Sequence, residues 1–229
     1  MITTSKYRSQ QGFTIVEFMV ATMVFSVVLL ATTAAILHIS RIYQRSIHQS
    51  NTQAATRSLV DAASQAVQFS SGTVTQGGTG ATLHYCAGNK QILYVLGRQV
   101  STTGVPANPL RTFHGAIFRP NNNCASTDIR ITNISNDVEK ELLGNRMRLV
   151  NFQISNVSGS DDLYTVTARV AYGDDDLLCS PAVPGSCNRN SSAMSQTNLL
   201  SRRDLQCKPG TGSEYCAVSE LTTTVQRRL

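Results

Sequence analysis

A stretch of 59 residues without glycine or proline, residues 13–71, is the feature that most constrains how this chain can fold. Gly12 precedes the stretch, the next glycine is Gly72, and the first proline is Pro106. Because glycine and proline interrupt helices more strongly than any other residue, their absence favours one continuous helix. At about 1.5 Å per residue such a helix would be about 85 Å long, which exceeds what one small domain can cover. We therefore expect part of it to meet lipid or a neighbouring chain.

The two halves of this predicted helix differ in polarity. Residues 18–37 carry no charged side chain, and about 20 apolar residues span the hydrocarbon core of a bilayer as a helix. From Ile39 onward, apolar residues recur at steps of three and four, as on the buried face of an amphipathic helix. The predicted stripes are Ile36, Ile39, Tyr43 and Ile47, then Ala55, Leu59, Ala62, Ala66 and Phe69. The pattern predicts a helix over residues 13–70, with a transmembrane segment at about 18–37 and a second half that packs on a domain.

The residues in front of the apolar run form a recognisable signal. Lys6 and Arg8 make a short basic leader, Gly12 and Phe13 follow, and Glu17 stands immediately before the run. This pattern resembles the processing signal of type IV prepilins, which has a basic leader, a glycine at the cut, an aromatic first mature residue and a glutamate as the fifth. The resemblance implies that a prepilin peptidase removes residues 1–12 by cutting after Gly12 and methylates the amine of Phe13. It also implies that Glu17 pairs with the terminal amine of a neighbouring subunit during assembly, which would relieve the cost of a carboxylate in apolar surroundings.

Two other interpretations of this segment stay open at this point. Glu17 could simply be hydrated at the cytoplasmic membrane interface, with no assembly role. Alternatively, the segment could be a secretory signal peptide that is removed after the apolar run. Such peptides usually have an apolar region of about 7–15 residues, which is shorter than the run seen here, and here an acid precedes it.

Residues 71–229 are predicted to form a mostly antiparallel β domain. Residues 71–80 are rich in Ser, Thr and Gly and are typical of a loop. The clearest predicted hairpin joins residues 148–157 to residues 163–172. Its first strand would have one buried and one solvent-exposed face. Leu149, Asn151 and Gln153 would lie on one face, and Val150, Phe152 and Ile154 on the other. The predicted strands cover residues 82–85, 91–96, 112–118, 128–134, 148–157, 163–172 and 220–227. A long helix followed by such a sheet is an α+β fold, which pilin-like proteins share.

The six cysteines favour disulfide bonds over metal ligation. None forms a CxxC pair, no histidine stands near them at zinc-finger spacing, and the count is even in a chain whose signal indicates export. The candidates are Cys86, Cys124, Cys179, Cys187, Cys207 and Cys216. The disulfide pairing that we predict first has two short loops, closed by Cys179–Cys187 and Cys207–Cys216. Cys86 would then pair with Cys124. The main alternative is nested, with Cys179–Cys216 around Cys187–Cys207.

No catalytic, cofactor or metal site is predicted. The sequence contains no HExxH, GxSxG, P-loop or dinucleotide fingerprint. His38, His48, His84 and His114 are interpreted as packing or exposed residues. Residues 174–176 are three consecutive aspartates, which suit a solvated loop better than a calcium site because they cannot all turn inward.

The charge balance gives little support to nucleic-acid binding. The formal net charge is +6, and loss of Lys6 and Arg8 with the leader would reduce it by two to +4. The arginine pairs at residues 202–203 and 227–228 could contact phosphates, but Asp204, Glu214 and Glu220 dilute them. DNA binding is therefore possible but unsupported.

Taken with the resemblance, these features predict a structural, non-enzymatic subunit, a minor pilin of a type IV pilus. The predicted partners are the prepilin peptidase and other pilins in a helical filament. The chain would be a single-pass inner-membrane protein before assembly and part of an extracellular pilus afterwards, with residues 71–229 extracytoplasmic. The alternatives are a pseudopilin of a type II secretion system, or a pilus-displayed module that binds surfaces or DNA.

Overall fold

The computed structural model describes residues 13–79, 82–88, 90–100, 116–120, 140–210 and 212–228. By compactness the chain divides into one unit up to Tyr43 and a second from Gln44 onward. The helices are α1 (Ile15–Gln68) and α2 (Gln196–Ser201). The strands are β1 (Thr75–Thr79), β2 (Thr82–Ala87), β3 (Lys90–Val95), β4 (Ala116–Pro120), β5 (Lys140–Glu141), β6 (Met147–Asn156), β7 (Leu163–Tyr172), β8 (Leu178–Cys179), β9 (Gln206–Cys207) and β10 (Ala217–Gln226). This confirms the predicted α+β class.

Helix α1 spans 54 residues and lies within two residues of the predicted limits at each end. Its buried face in the second unit consists of Thr52, Thr56, Leu59, Val60, Ala63, Ala66 and Val67. In the first predicted stripe, Ile36, Ile39 and Tyr43 are exposed. The second stripe is buried at Leu59 and Ala66, but Ala55 and Ala62 are only partly buried and Phe69 lies exposed beyond the helix end. It also missed the two threonines, whose hydroxyls donate to the carbonyls of the preceding turn, Thr52 to His48 (2.7 Å) and Thr56 to Thr52 (2.7 Å). Because each hydroxyl is satisfied within the helix, threonine can occupy a buried position here.

The first sheet is five-stranded and antiparallel, in the order β1-β2-β3-β4-β5. The strands predicted at residues 82–85 and 91–96 are confirmed as β2 and β3, which pair as neighbours. Residues 112–115 and 128–134 of the other predicted strands lie outside the described residues. The prediction of a loop over residues 71–80 was wrong for β1. Gly77 pairs with His84, and a Cβ at Gly77 would come within 2.6 Å of the His84 ring. The glycine that suggested a loop is therefore needed where the strand passes under a buried imidazole.

The second sheet has the order β10-β7-β6 and is also antiparallel. The hairpin of β6 and β7 is confirmed, but the predicted alternation along β6 was wrong in its first half. The register with β7 shifts between Leu149 and Asn151, so Val150 is an extra residue in a β-bulge. As a result Leu149 points into the same core as Phe152, and Val150 is buried on the opposite face.

Two apolar cores stabilise the second unit. The larger one joins the buried face of α1 to both sheets and contains a cluster of rings. Tyr94 and Phe152 meet edge to face with centroids 5.1 Å apart, and Tyr85 stacks beside Tyr94 at 5.7 Å. The smaller core lies on the other face of the second sheet, where Val150 and Ala171 pack against Leu178, Leu199 and Leu205 of the C-terminal segment. The second sheet is thus covered on both faces where this segment crosses it.

Candidate processing and assembly site

The first turn of α1 is closed by a reciprocal pair of side chains. The backbone amide and the hydroxyl of Thr14 both donate to Oε2 of Glu17, at 2.9 Å and 2.8 Å, and the Glu17 amide donates to Oγ1 of Thr14 at 3.3 Å. This is a capping box, which satisfies amides that have no partner inside the helix. The Thr-x-x-Glu spacing in the sequence is the signal that indicates such a box, although Thr14 was not among the predicted site residues. Glu17 therefore holds a defined position at the start of the apolar span.

Phe13 and Gly12 stand immediately before this turn. The side chain of Phe13 is 83% exposed, and the helix begins two residues later at Ile15. Gly12, the predicted cleavage residue, lies outside the described residues. A chain that started at Phe13 would thus carry its amine one residue before the capping threonine.

The helix surface that follows is apolar and uncovered. Helix α1 is long and apolar enough to cross a membrane, and none of its most apolar 18-residue window is buried. The large exposed side chains include Phe18, Met23, Phe25, Leu30 and Ile36. Burial distinguishes this segment from the core helix of a soluble protein, because a core helix would be mostly covered. Apolar surface of this extent is not stable in water and requires lipid or other apolar helices.

The structure joins cysteines in the C-terminal segment as two short loops. Cys179 bonds to Cys187 and Cys207 bonds to Cys216, with Cα atoms 5.1 Å and 5.7 Å apart. This is the local arrangement, not the nested one. Cys86 is also disulfide-bonded, while Cys124, predicted as its partner, lies outside the described residues. Asp204 braces the first loop by accepting hydrogen bonds from the Ser180 hydroxyl and the Ala182 amide.

Two of the three consecutive aspartates at residues 174–176 form ion pairs with arginines. Asp174 pairs with Arg146 and accepts a hydrogen bond from Gln99 at 3.1 Å, and Asp175 pairs with Arg148 at 2.7 Å. Burial alone would raise the pKa of Asp174, but these donors outweigh it and hold the pKa below its ordinary value. Arg148 is 1% exposed and also donates to the carbonyl oxygens of Gly97 and Gly173. Among the described residues, no group of three or more His, Cys, Asp or Glu side chains could hold a metal ion.

The histidines and the arginine pairs are dispersed over the fold. His38 and His48 lie on α1 and His84 lies buried in β2, whereas His114 is outside the described residues. Arg227 pairs with Asp162 at 2.5 Å, so one of the arginines considered for DNA contact has an acidic partner.

One comparison with known proteins gives a match to the N-terminal segment. The family described as the prokaryotic N-terminal methylation motif matches residues 7–33. Those residues include Gly12, Phe13, the Thr14–Glu17 turn and most of the exposed apolar span. Comparison with curated proteins and with solved structures returned no match. The chain carries a prokaryotic N-terminal methylation motif at the start of a membrane-length helix, and this motif supports a type IV prepilin-like protein.

Proposed function

We propose that this chain is a minor pilin, a structural subunit that is processed by prepilin peptidase and assembled into a type IV pilus through α1. The observation that carries the proposal is the methylation motif at residues 7–33, which leads directly into an apolar span with none of its residues buried. A motif of this kind marks a structural class of protein rather than an enzyme. The exposed span supplies the physical reason for assembly, since it needs apolar surroundings in every state of the protein.

The segment around Phe13 supports cleavage after Gly12. Glycine has no side chain, so Gly12 can enter a narrow peptidase site. Phe13 is exposed and precedes the first helical turn, which means that cleavage there would not disrupt α1. The new amine would be methylated and would lie at the end of the helix that enters the filament.

The charge at Glu17 supports a specific register between subunits. A carboxylate at the edge of an apolar segment costs a few kcal/mol unless it is hydrated or paired. The capping box occupies Oε2 with two neutral donors of Thr14, which do not neutralise the charge. In a filament, where lipid and water are replaced by neighbouring helices, the amine of a second subunit would neutralise it.

The second unit supports a minor rather than a major role. It is large, contains disulfide bonds, and carries an additional C-terminal layer that covers one face of the second sheet. Major subunits tend to be smaller, because every copy must pack into the filament shaft. A pseudopilin of a type II secretion system shares the same N-terminal signal and is the second candidate function.

Intact-mass analysis of membranes and of sheared filaments tests the proposal. We expect a chain that starts at methylated Phe13 in both fractions, with far fewer copies than the major subunit in the filaments. A chain cut near Ala35 would identify a secreted protein and overturn the assignment. Deletion of the gene separates the two candidates: loss of pili supports the minor pilin, and loss of protein secretion with pili intact supports the pseudopilin.

A further inference from the structure

A cavity of about 520 Å³ in the second unit has a lining that is suited to anions. It lies between α1 and the loop that follows β9, with Arg45 and Gln49 on the helix side and Lys208, Gly210 and Ser213 on the other. The Cys207–Cys216 disulfide holds the two ends of that loop together. Its volume lies in the range of about 300–1,000 Å³ that is typical of small-molecule sites.

Lys208 is a buried cation that has no negatively charged partner among the residues that the structure describes. Lys208 is 9% exposed, and its ammonium group donates hydrogen bonds to the carbonyl oxygens of Ser191 (3.0 Å) and Ser192 (3.3 Å). Both acceptors are neutral, and within the described residues Lys208 forms no ion pair. An ammonium has three hydrogens to donate, so one remains available. A buried charge in this state is costly and is stabilised by any anion that can approach it.

Arg45 supplies a second positive charge on the opposite side of the cavity. Its side chain is exposed and, in the described part of the chain, makes no hydrogen bond or ion pair. None of the described lining residues is acidic. Arg189 lies beside the same loop, because a Cβ at Gly210 would come within 2.7 Å of Arg189 Cγ. Three cationic side chains therefore lie on or beside this loop, and its one acidic residue, Glu214, is not among the described residues that line the cavity.

We propose that this cavity binds a small organic anion through Arg45 and Lys208. The ligand class is a carboxylate or phosphate monoester of about monosaccharide size. The planar guanidinium of Arg45 would contact two oxygens of the anion, and the remaining ammonium hydrogen of Lys208 would contact another. Gln49 and Ser213 would be placed to bind neutral hydroxyl groups of the same ligand.

Calorimetric titration of the full-length protein in a neutral detergent tests this proposal. The probes are glucuronate, glucose 6-phosphate and, as the uncharged counterpart, glucose. We expect at least one anion to bind at one site per chain, glucose not to bind, and the affinity to fall as salt is added. Preference for glucuronate would identify a carboxylate ligand, and preference for glucose 6-phosphate a phosphate ligand.

Two variants and a matched control locate the site. Arg45→Gln, at an exposed and unpaired position, should leave the fold unchanged and weaken anion binding by about ten-fold or more, since a charge-assisted hydrogen bond is lost. Lys208→Gln should have a similar effect, with its thermal midpoint measured alongside because the residue is buried. Arg41→Gln removes the same charge one turn earlier on α1, outside the lining, and should bind like the wild type. Lack of binding of both anions at millimolar concentrations, equal binding of glucose, or unchanged binding by Arg45→Gln would each overturn the proposal.

Discussion

The imidazole of His48 on α1 stacks on the ring of Tyr172 at the end of β7, with ring centroids 4.3 Å apart and planes 16° from parallel. The guanidinium of Arg146 lies over the same tyrosine, 5.7 Å from its centroid. Arg146 has a left-handed backbone (φ 63°) and pairs with Asp174. Burial, together with the positive charge of Arg146, lowers the pKa of His48 below its ordinary value of 6.5.

This contact makes the stability of the second unit depend on pH. The folded state holds His48 neutral, so between the ordinary and the lowered pKa the unfolded chain binds more protons than the folded one. The free energy of unfolding therefore rises with pH in that window and reaches its plateau above about pH 6.5. It decreases as the pH falls from 6.5 through the lowered pKa. His48→Phe keeps a ring against Tyr172 without a titrating group. We expect thermal midpoints of the full chain in detergent to depend less on pH in this variant than in the wild type between about pH 5.5 and 7.5. Equal pH dependence in the two proteins would contradict the assignment.

Asp204 should stabilise the loop closed by Cys179 and Cys187. Burial alone would raise the pKa of Asp204, but hydrogen bonds from the Ser180 hydroxyl (2.7 Å) and the Ala182 amide (3.0 Å) outweigh it, and the pKa is lowered. Its contribution is thus present above the ordinary pKa of 3.8 and is lost as the pH falls through the lowered pKa.

Asp204→Asn is expected to reduce the free energy of unfolding by about 1–2 kcal/mol at neutral pH, because bonds to a charged acceptor are weakened. Urea unfolding of the full chain measures this. Asp161→Asn, at an exposed aspartate in the turn between β6 and β7, is the matched control and should be nearly neutral. A similar loss of unfolding free energy in both variants would mean that the change in net charge is responsible, and not the loss of the hydrogen bond from Ser180.

Removing either C-terminal disulfide should destabilise the second unit by about 2–3 kcal/mol, as expected from the loss of a cross-link that closes a short loop. The cysteines of the two bonds are 8 and 9 residues apart in sequence, so the two losses should be similar. The test compares the double variants Cys179→Ala/Cys187→Ala and Cys207→Ala/Cys216→Ala by urea unfolding. Peptide mapping without reduction should find the same two local pairs in the wild type. Peptides that link Cys179 to Cys216 would instead establish the nested arrangement.

Glu17 and Thr14 share the capping box, and the two can be separated by substitution. Thr14→Ala removes the hydroxyl partner and keeps the carboxylate, at a cost to the helix end of about 1 kcal/mol. Glu17→Ala removes the carboxylate itself. We expect both variants to insert in the membrane and to be cleaved, but only Glu17→Ala to be absent from sheared filaments. If both variants are lost from filaments to the same extent, Glu17 acts as a helix cap and not through its charge. If Glu17→Ala is incorporated at the wild-type level, the pairing role is wrong.

Long-range periodicity made the helix and the main hairpins predictable. The absence of helix breakers located α1 to within two residues, and the alternating strands with a turn between them located β6 and β7. Predictions from local composition were wrong where a tertiary contact determines the conformation. Gly77 was interpreted as part of a loop, yet it lies in β1 because the ring of His84 occupies the space that a side chain would need.

The sequence alone determined that this chain carries a prepilin-like N-terminus on a long helix, followed by a β-rich region with six cysteines. Those properties depend on the order and polarity of neighbouring residues, which the chain displays directly. Only the tertiary structure decided that a bulge at Val150 turns β6 toward two cores and that Arg148 is buried with Asp175 as its partner. It also brought Arg45 and Lys208 to one cavity. These relationships join residues that are far apart in sequence, and their energies come from packing and charge pairing, which no local pattern specifies.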